Sequence, residues 1–237
     1  MNFNNAVLTY DQNAFAQKKC AVELVKMLPI TNIASFIDIG CGTGFASIEV
    51  LKRFQNAQCT MLDISDKMLS IAKNKIPNAE TITANAENFN FSNLSFNLAI
   101  SNLSIQWFNN IFGFIPKILK CVNYFAFSIP IYGSFDEFYR IFDKIDIPKL
   151  KLFSLKDLLQ NLPQLFDYKT ISISKTFPNA IEATRHFSSI GATFKTNQMT
   201  QSKIANIIKS HNKPVTINYE ILLCSTISNN RDAMWYV

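Results

Sequence analysis

Glycine is scarce in this sequence: six in 237 residues, three of them crowded into FIDIGCGTGF between Gly40 and Gly44. Charge is thin as well, at 17% of residues, and the span 88–116 carries none. That span is no membrane helix, because Asn and Ser interrupt it and would leave polar groups in lipid; it reads as a buried strand with polar loops. A dense Lys/Arg cluster is missing too. The net charge of +6 therefore implies no nucleic-acid partner, but a solvated basic surface that acidic partners can approach. The five cysteines (Cys20, Cys41, Cys59, Cys121, Cys224) are odd in number and scattered, without C-x-x-C or Cys/His spacing. Neither a disulfide framework nor a zinc or other metal site is expected, and reduced thiols fit a cytoplasmic protein. MNFNNAVLTYDQ lacks a basic segment followed by an apolar one, so no signal peptide is read.

What is present is hydrophobic: 48% of residues, enough to bury a sizeable core in one domain. Pattern predicts a helix over 15–28, then strands over 35–40, 57–65, 79–85, 96–104 and 124–132, with helices over 45–54 and 67–76. Such alternation predicts a parallel sheet with both faces covered. After Pro130 the rhythm changes. Segments 134–145 and 154–162 read as amphipathic helices, the second capped by Ser154; 168–177 reads as a strand, 180–191 and 201–212 as helices, and 215–227 as a final strand. No repeat and no Gly/Ser/Pro-rich linker divides the chain, so residues 1–237 form one α/β domain with helical additions on one edge.

The run Gly40-x-Gly42-x-Gly44 follows a strand and opens a helix. Glycine permits positive φ there and lets a ligand lie against bare backbone, with the unpaired N–H groups of a helix start nearby. The spacing is neither G-x-G-x-x-G nor a Walker A loop, which points to a ligand without a pyrophosphate. Asp38, inside the preceding strand, would be costly there without a partner. Asp63 ends the second strand, where a carboxylate can accept hydrogen bonds from both ribose hydroxyls. Alone, the glycines could be a tight strand–helix connection and Asp63 a helix cap; together they favour a nucleoside ligand.

FIDIGCGTG, MLDIS and ITANAENFNF, followed by FNLAISNLSIQW, resemble the successive motifs of class I S-adenosylmethionine-dependent methyltransferases. The resemblance implies a Rossmann-like, seven-stranded, mostly parallel sheet whose last strand is antiparallel, with helices on both faces. It makes 1–130 the cofactor-binding half and 131–237 the substrate-side helices and last two strands. It implies that Gly40, Cys41, Gly42 and Gly44 back the methionine part of S-adenosyl-L-methionine and that Asp63 holds the ribose. Asn85 and Ala86 then flank the adenine, and the cofactor's ammonium gives Asp38 a partner. Ile64, Met68, Asn102 and Leu103 complete the cofactor set, with Tyr10 and Gln17 as its lid. Three departures stand out: Asn85 and Asn97 occupy positions where Asp is usual, and CVNYFAF lacks a Pro-Gly-Gly turn. Asn85 keeps an acceptor oxygen for adenine.

YDQNAFAQ, SNLSIQW, YGSFDEF and TRHFSSIGAT, in that order, further resemble the malonyl-acyl-carrier-protein O-methyltransferase family of biotin synthesis. The implied acceptor is the free carboxylate of a malonyl thioester on acyl carrier protein, an acidic partner. A carboxylate is already ionised, so no catalytic acid or base is expected; His186 and His211 read as surface or helix residues and Cys41 as a small filler. Tyr10, Gln106 and Trp107 are expected at the substrate, with Arg185 gripping its carboxylate in a two-pronged contact. Lys195, Lys203, Lys209 and Lys213 form the expected carrier-docking face. The alternatives are another small-molecule acceptor, or an inactive cofactor-binding or interaction protein of the same fold. SNLS lacks the Asn/Asp-Pro-Pro-aromatic motif that grips a flipped base, which disfavours a nucleic-acid methyltransferase.

Overall fold

A computed structural model of the chain describes residues 6–141, 152–163, 165–192 and 198–227. Two N-terminal helices, α1 (Tyr10–Asn13) and α2 (Phe15–Lys26), precede the alternating part: β1 (Ser35–Ile39), α3 (Phe45–Arg53), β2 (Gln58–Asp63), α4 (Asp66–Lys75), β3 (Glu80–Thr83) and β4 (Phe96–Asn102). A 3₁₀ turn (Ile105–Trp107) leads into α5 (Ile111–Leu119) and β5 (Val122–Pro130). Then come α6 (Asp136–Arg140), α7 (Leu155–Asn161), β6 (Phe166–Phe177), α8 (Ala180–Ser189), α9 (Gln198–Ser210) and β7 (Val215–Thr226).

The seven strands form one sheet in the order β3-β2-β1-β4-β5-β7-β6. Strands β1 to β5 pair in parallel, whereas β7 runs antiparallel to both β5 and β6. Strand alternation divides the core between the two faces. Phe36, Met61, Leu98, Ile100 and Ala126 pack towards α2, α3 and α4. Ile37, Ile39, Leu62, Ala99, Phe125 and Phe127 pack towards α5 and α7. Burial on both faces is why these strands read as near-continuous apolar runs. The order reverses at β1/β4, so the carboxyl ends of β1, β2 and β4 open on a shared crevice, where doubly wound sheets hold their ligands.

The strands and caps follow the sequence pattern; Ser154 caps α7, its side chain accepting from Asp157 N. One element does not. The charge-free span 88–116 contains β4 but also most of α5, which pattern reading takes as loop. Its buried residues (Ile111, Phe114, Ile115, Ile118, Leu119) recur at helical spacing, but the exposed side between them holds Gly113 and Pro116, which argue locally against a helix. Pro116 lies on the exposed side, where water can serve the carbonyl that its missing N–H leaves unpaired. Burying five such side chains, each worth about 1.5–3 kcal/mol, outweighs the roughly 3 kcal/mol cost of one helical proline. Helix α6 is shorter than the 134–145 expected, and residues 142–145 lie outside the described ones.

Candidate functional site

Backbone turn chemistry builds the floor of the site. Gly40, Gly42 and Gly44 all have positive φ, at +67°, +55° and +87°. A Cβ on Gly40 would fall 1.7 Å from Ser104 Oγ, so the glycine lets the segment after β4 close against the loop. At Gly42 the nearest atom to such a Cβ is Tyr10 Oη at 3.9 Å, leaving the loop's inner face open. Gly44 is the left-handed N-cap of α3 and lies outside the pocket lining; its role is the turn itself.

Two buried acids stand behind this loop. Asp38 is fully buried, and its Oδ2 accepts from Ser47 N at 3.0 Å and Ser47 Oγ at 2.6 Å. Its Oδ1 has no hydrogen-bond partner in the protein. Burial pushes the Asp38 carboxyl up to about 7, with Asp63 adding to the rise and Ser47 opposing it. Asp63 ends β2 and accepts from Gly42 N on Oδ2 and from Ser65 N on Oδ1, both at 2.8 Å. Burial raises this carboxyl too, against those backbone hydrogen bonds.

The cavity above the loop holds about 210 Å³. Asp38, Gly40, Cys41, Gly42, Asp63, Ile64 and Met68 line its floor and one side; Asn85 and Ala86, after β3, form the next wall. Asn102 and Leu103, at the end of β4, and Trp107 face them, while Tyr10 and Gln17 approach from above. Leu103 holds φ at +50°, a conformation rare outside glycine, where its N–H meets Ser128 Oγ at 2.9 Å. Gln17 Oε1 is buried without a partner. Ile64 is 64% exposed, a large apolar side chain left open at the rim. No Lys, Arg or His is among the lining residues, while Asp38, Asp63 and Glu87 are. The pocket is therefore acidic.

Several contributors carry no motif of their own. Phe45 stacks against Tyr10 with ring centroids 6.3 Å apart. Asp11 fastens α1 over the loop, accepting from Thr43 Oγ1 at 2.6 Å and pairing with Lys75 at 2.5 Å. Glu87 accepts from Asn109 Nδ2 and Asn110 N, joining the wall after β3 to the start of α5. Asp11 and Glu87 sit inside YDQNAFAQ and NAENF, and adjacency to those motifs is their signal in the sequence.

Other expected residues lie elsewhere or act differently. Gln106 does not line the cavity: the 3₁₀ turn sends it inward, its Nε2 donating to Leu103 O at 2.7 Å. Arg185 does not line it either. Its guanidinium sits on the outer face of α8, 71% exposed and paired with Glu182, because Ala183 and His186 take the inward positions. His186 is a buried helix residue, not a surface one, with Nε2 at 3.1 Å from Tyr219 Oη; burial pulls its pKa down to about 4. Asn85 Oδ1 accepts Glu87 N at 3.0 Å with one of its two lone pairs. Asn97 uses its oxygen as a carboxylate would, accepting from Ala34 N and Ser35 N. Lys203, Lys209 and Lys213 are exposed, and Lys195 lies outside the described residues. Among the described residues no helix is long and apolar enough to cross a membrane.

A methyltransferase domain model matches residues 36–123, from β1 to the start of β5. The malonyl-acyl-carrier-protein O-methyltransferase of Neorickettsia risticii is 29% identical over 219 residues, covering 88% of this chain and 87% of the relative. An enzyme of the same name, numbered 2, from Coxiella burnetii is 29% identical over 229 residues, covering 93% and 91%. The plantazolicin methyltransferase BamL, solved with a triazolic desmethylPZN analog and SAH, shares the fold with a TM-score of 0.57 at 18% identity, over 95% of this chain and 90% of its own.

Proposed function

We infer, from the premise that this chain belongs to the class I methyltransferases, that its pocket binds S-adenosylmethionine and that it methylates the free carboxylate of a malonyl thioester on acyl carrier protein. The product is the methyl ester from which biotin synthesis starts. The observation that carries the cofactor assignment is Asp38 Oδ1, a buried carboxyl oxygen without a partner in a pocket lined by acids and no cation. An uncompensated buried carboxylate is costly, and an ammonium group is the partner that relieves it. The cofactor's sulfonium adds a second positive charge suited to the same pocket.

The residues present fit the rest of this group. Asp63 accepts from the backbone N–H groups of Gly42, Ser65 and Ile64, which leaves acceptor capacity on the carboxylate for a ribose hydroxyl. Ile64 and Ala86 offer apolar surface to an adenine ring, and the open face of Gly42 admits the methionine part. Asn85 keeps a lone pair on Oδ1 and its amide N–H₂ for the base.

S-adenosylmethionine supplies a methyl group activated on sulfur. The acceptor carboxylate, with an ordinary pKa of about 4, needs no residue to take its proton. Cys41 stays a neutral thiol, since burial pushes it up, and His186 is engaged with Tyr219 away from the pocket. The chain's work is alignment and exclusion of water, with Tyr10 and Phe45 closing one side and Trp107 the other. Lys203, Lys209, Lys213 and Arg185 supply exposed positive charge for an acidic carrier; the near-full-length likeness to enzymes named for that carrier supports this reading.

Calorimetry with S-adenosylhomocysteine tests the cofactor assignment: binding by the parent and loss in Asp38→Ala are expected. A parent protein that binds no such nucleoside would refute it.

A further inference from the structure

An acidic pocket suits the cofactor's cations but not the carboxylates that the proposed reaction also brings in. One belongs to the amino-acid end of the cofactor and one to the acceptor; each must leave bulk water near Asp38 and Asp63, which repel it. Some cation must reach the mouth from outside the lining.

Three lysines touch a lining residue among the described ones. Lys117 Nζ donates to Glu87 O at 3.2 Å, beside the Glu87 carboxylate. Lys75 lies 4.8 Å from the centre of the Phe45 ring but is committed to Asp11 and to Thr43 O. Lys18 lies 5.2 Å from the same ring centre, and no acidic partner is found for it among the described residues. It follows Gln17, a lining residue, on α2. A ring face holds an exposed ammonium only weakly, and the four-carbon stem lets that ammonium swing. Phe45 is also the first residue of α3, whose N-terminal partial positive charge favours an anion at the same place.

We propose that Lys18 is the anion receptor of the pocket, leaving the Phe45 ring to take up a carboxylate at its mouth. This rests on the reading that the pocket binds S-adenosylmethionine and serves an acidic acceptor. The carboxylate comes either from the cofactor or from the acceptor.

The test first confirms that the parent binds S-adenosylhomocysteine; failure there sinks the functional reading and not the role of Lys18. Lys18→Ala and Lys18→Arg are then compared in two arms. In the cofactor arm, Kd is measured for S-adenosylhomocysteine and for its decarboxylated analogue. In the acceptor arm, KM is measured for malonyl-carrier protein and Ki for acetyl-carrier protein, which lacks the carboxylate. In one arm Lys18→Ala should weaken the carboxylate-bearing molecule about tenfold, as loss of one charge-assisted contact does, and spare its partner; Lys18→Arg should recover most of the loss. The arm that moves names the source. The proposal is overturned if every constant stays within about twofold of the parent, or if molecules with and without the carboxylate weaken equally.

Discussion

Ser47 gives both its amide and its hydroxyl to one oxygen of Asp38, at 3.0 and 2.6 Å, and leaves the other oxygen of the same carboxyl bare. The half-satisfied group is held at the carboxyl end of β1, under the glycine loop. Its burial makes proton loss unfavourable while no cation faces it.

A pH dependence follows. The Asp38 carboxyl sits at about 7 in the folded protein against 3.8 for an ordinary Asp. Between those values the folded state binds more protons than the unfolded one, so the cofactor-free protein should lose stability as pH rises through that window. An ammonium favours the ionised form, so affinity for S-adenosylhomocysteine should rise from about pH 6 to about pH 8, with a proton released on binding. Calorimetry in buffers of different ionisation enthalpy reads that proton. Asp38→Asn should flatten the profile; a flat profile in the parent would show that Asp38 faces no cation.

Asp63→Asn should weaken S-adenosylhomocysteine by about 1.5–3 kcal/mol, the range for hydrogen bonds to a charged group. The motive is its position beside Gly42, with acceptor capacity left after the backbone contacts from Gly42, Ser65 and Ile64. An unchanged Kd in a variant of parental Tm would remove Asp63 from the ribose.

The two glycines should separate folding from binding. In Gly40→Ala the new methyl collides with Ser104 and the backbone is left-handed, so a loss above about 2 kcal/mol in urea unfolding is expected. Gly42→Ala meets only Tyr10 Oη, at an ordinary contact distance of 3.9 Å, so its cost should be only the strain of about 1–2 kcal/mol, while cofactor binding collapses. The opposite ranking in urea would mean that the loop rearranges.

These features were legible because a turn with positive φ demands glycine and a strand end that meets a ligand demands a short acceptor; both requirements write themselves into contiguous residues. What stayed hidden depends on topology or helical phase. Asp11 and Lys75 meet only because α1 folds back over α4. Helix α5 has apolar residues at helical spacing, but Gly113 and Pro116 on its exposed side disguise it. Gln106 and Trp107 are neighbours in sequence, yet only the second faces the cavity. Arg185 lies in a segment that resembles the substrate side, and only the phase of α8, set by burial of Ala183 and His186, turns it outward.

Arg185→Ala is therefore expected to leave cofactor affinity and kcat near parental values. Its exposed pair with Glu182 adds little stability, about 0.3–0.5 kcal/mol. Any change should be a salt-sensitive rise in KM for the carrier-bound substrate. A fall of about a hundredfold in kcat at saturating substrate would put this guanidinium back on the reacting carboxylate, after a movement of α8.

The most direct measurement is intact-mass spectrometry of malonyl-acyl carrier protein after incubation with the protein and S-adenosylmethionine. One added methyl group per carrier is expected, on the malonyl carboxylate, with no addition to acetyl-carrier protein. Failure to add methyl to malonyl-carrier protein, by a protein that demonstrably binds S-adenosylhomocysteine, would contradict carboxyl methylation of this substrate.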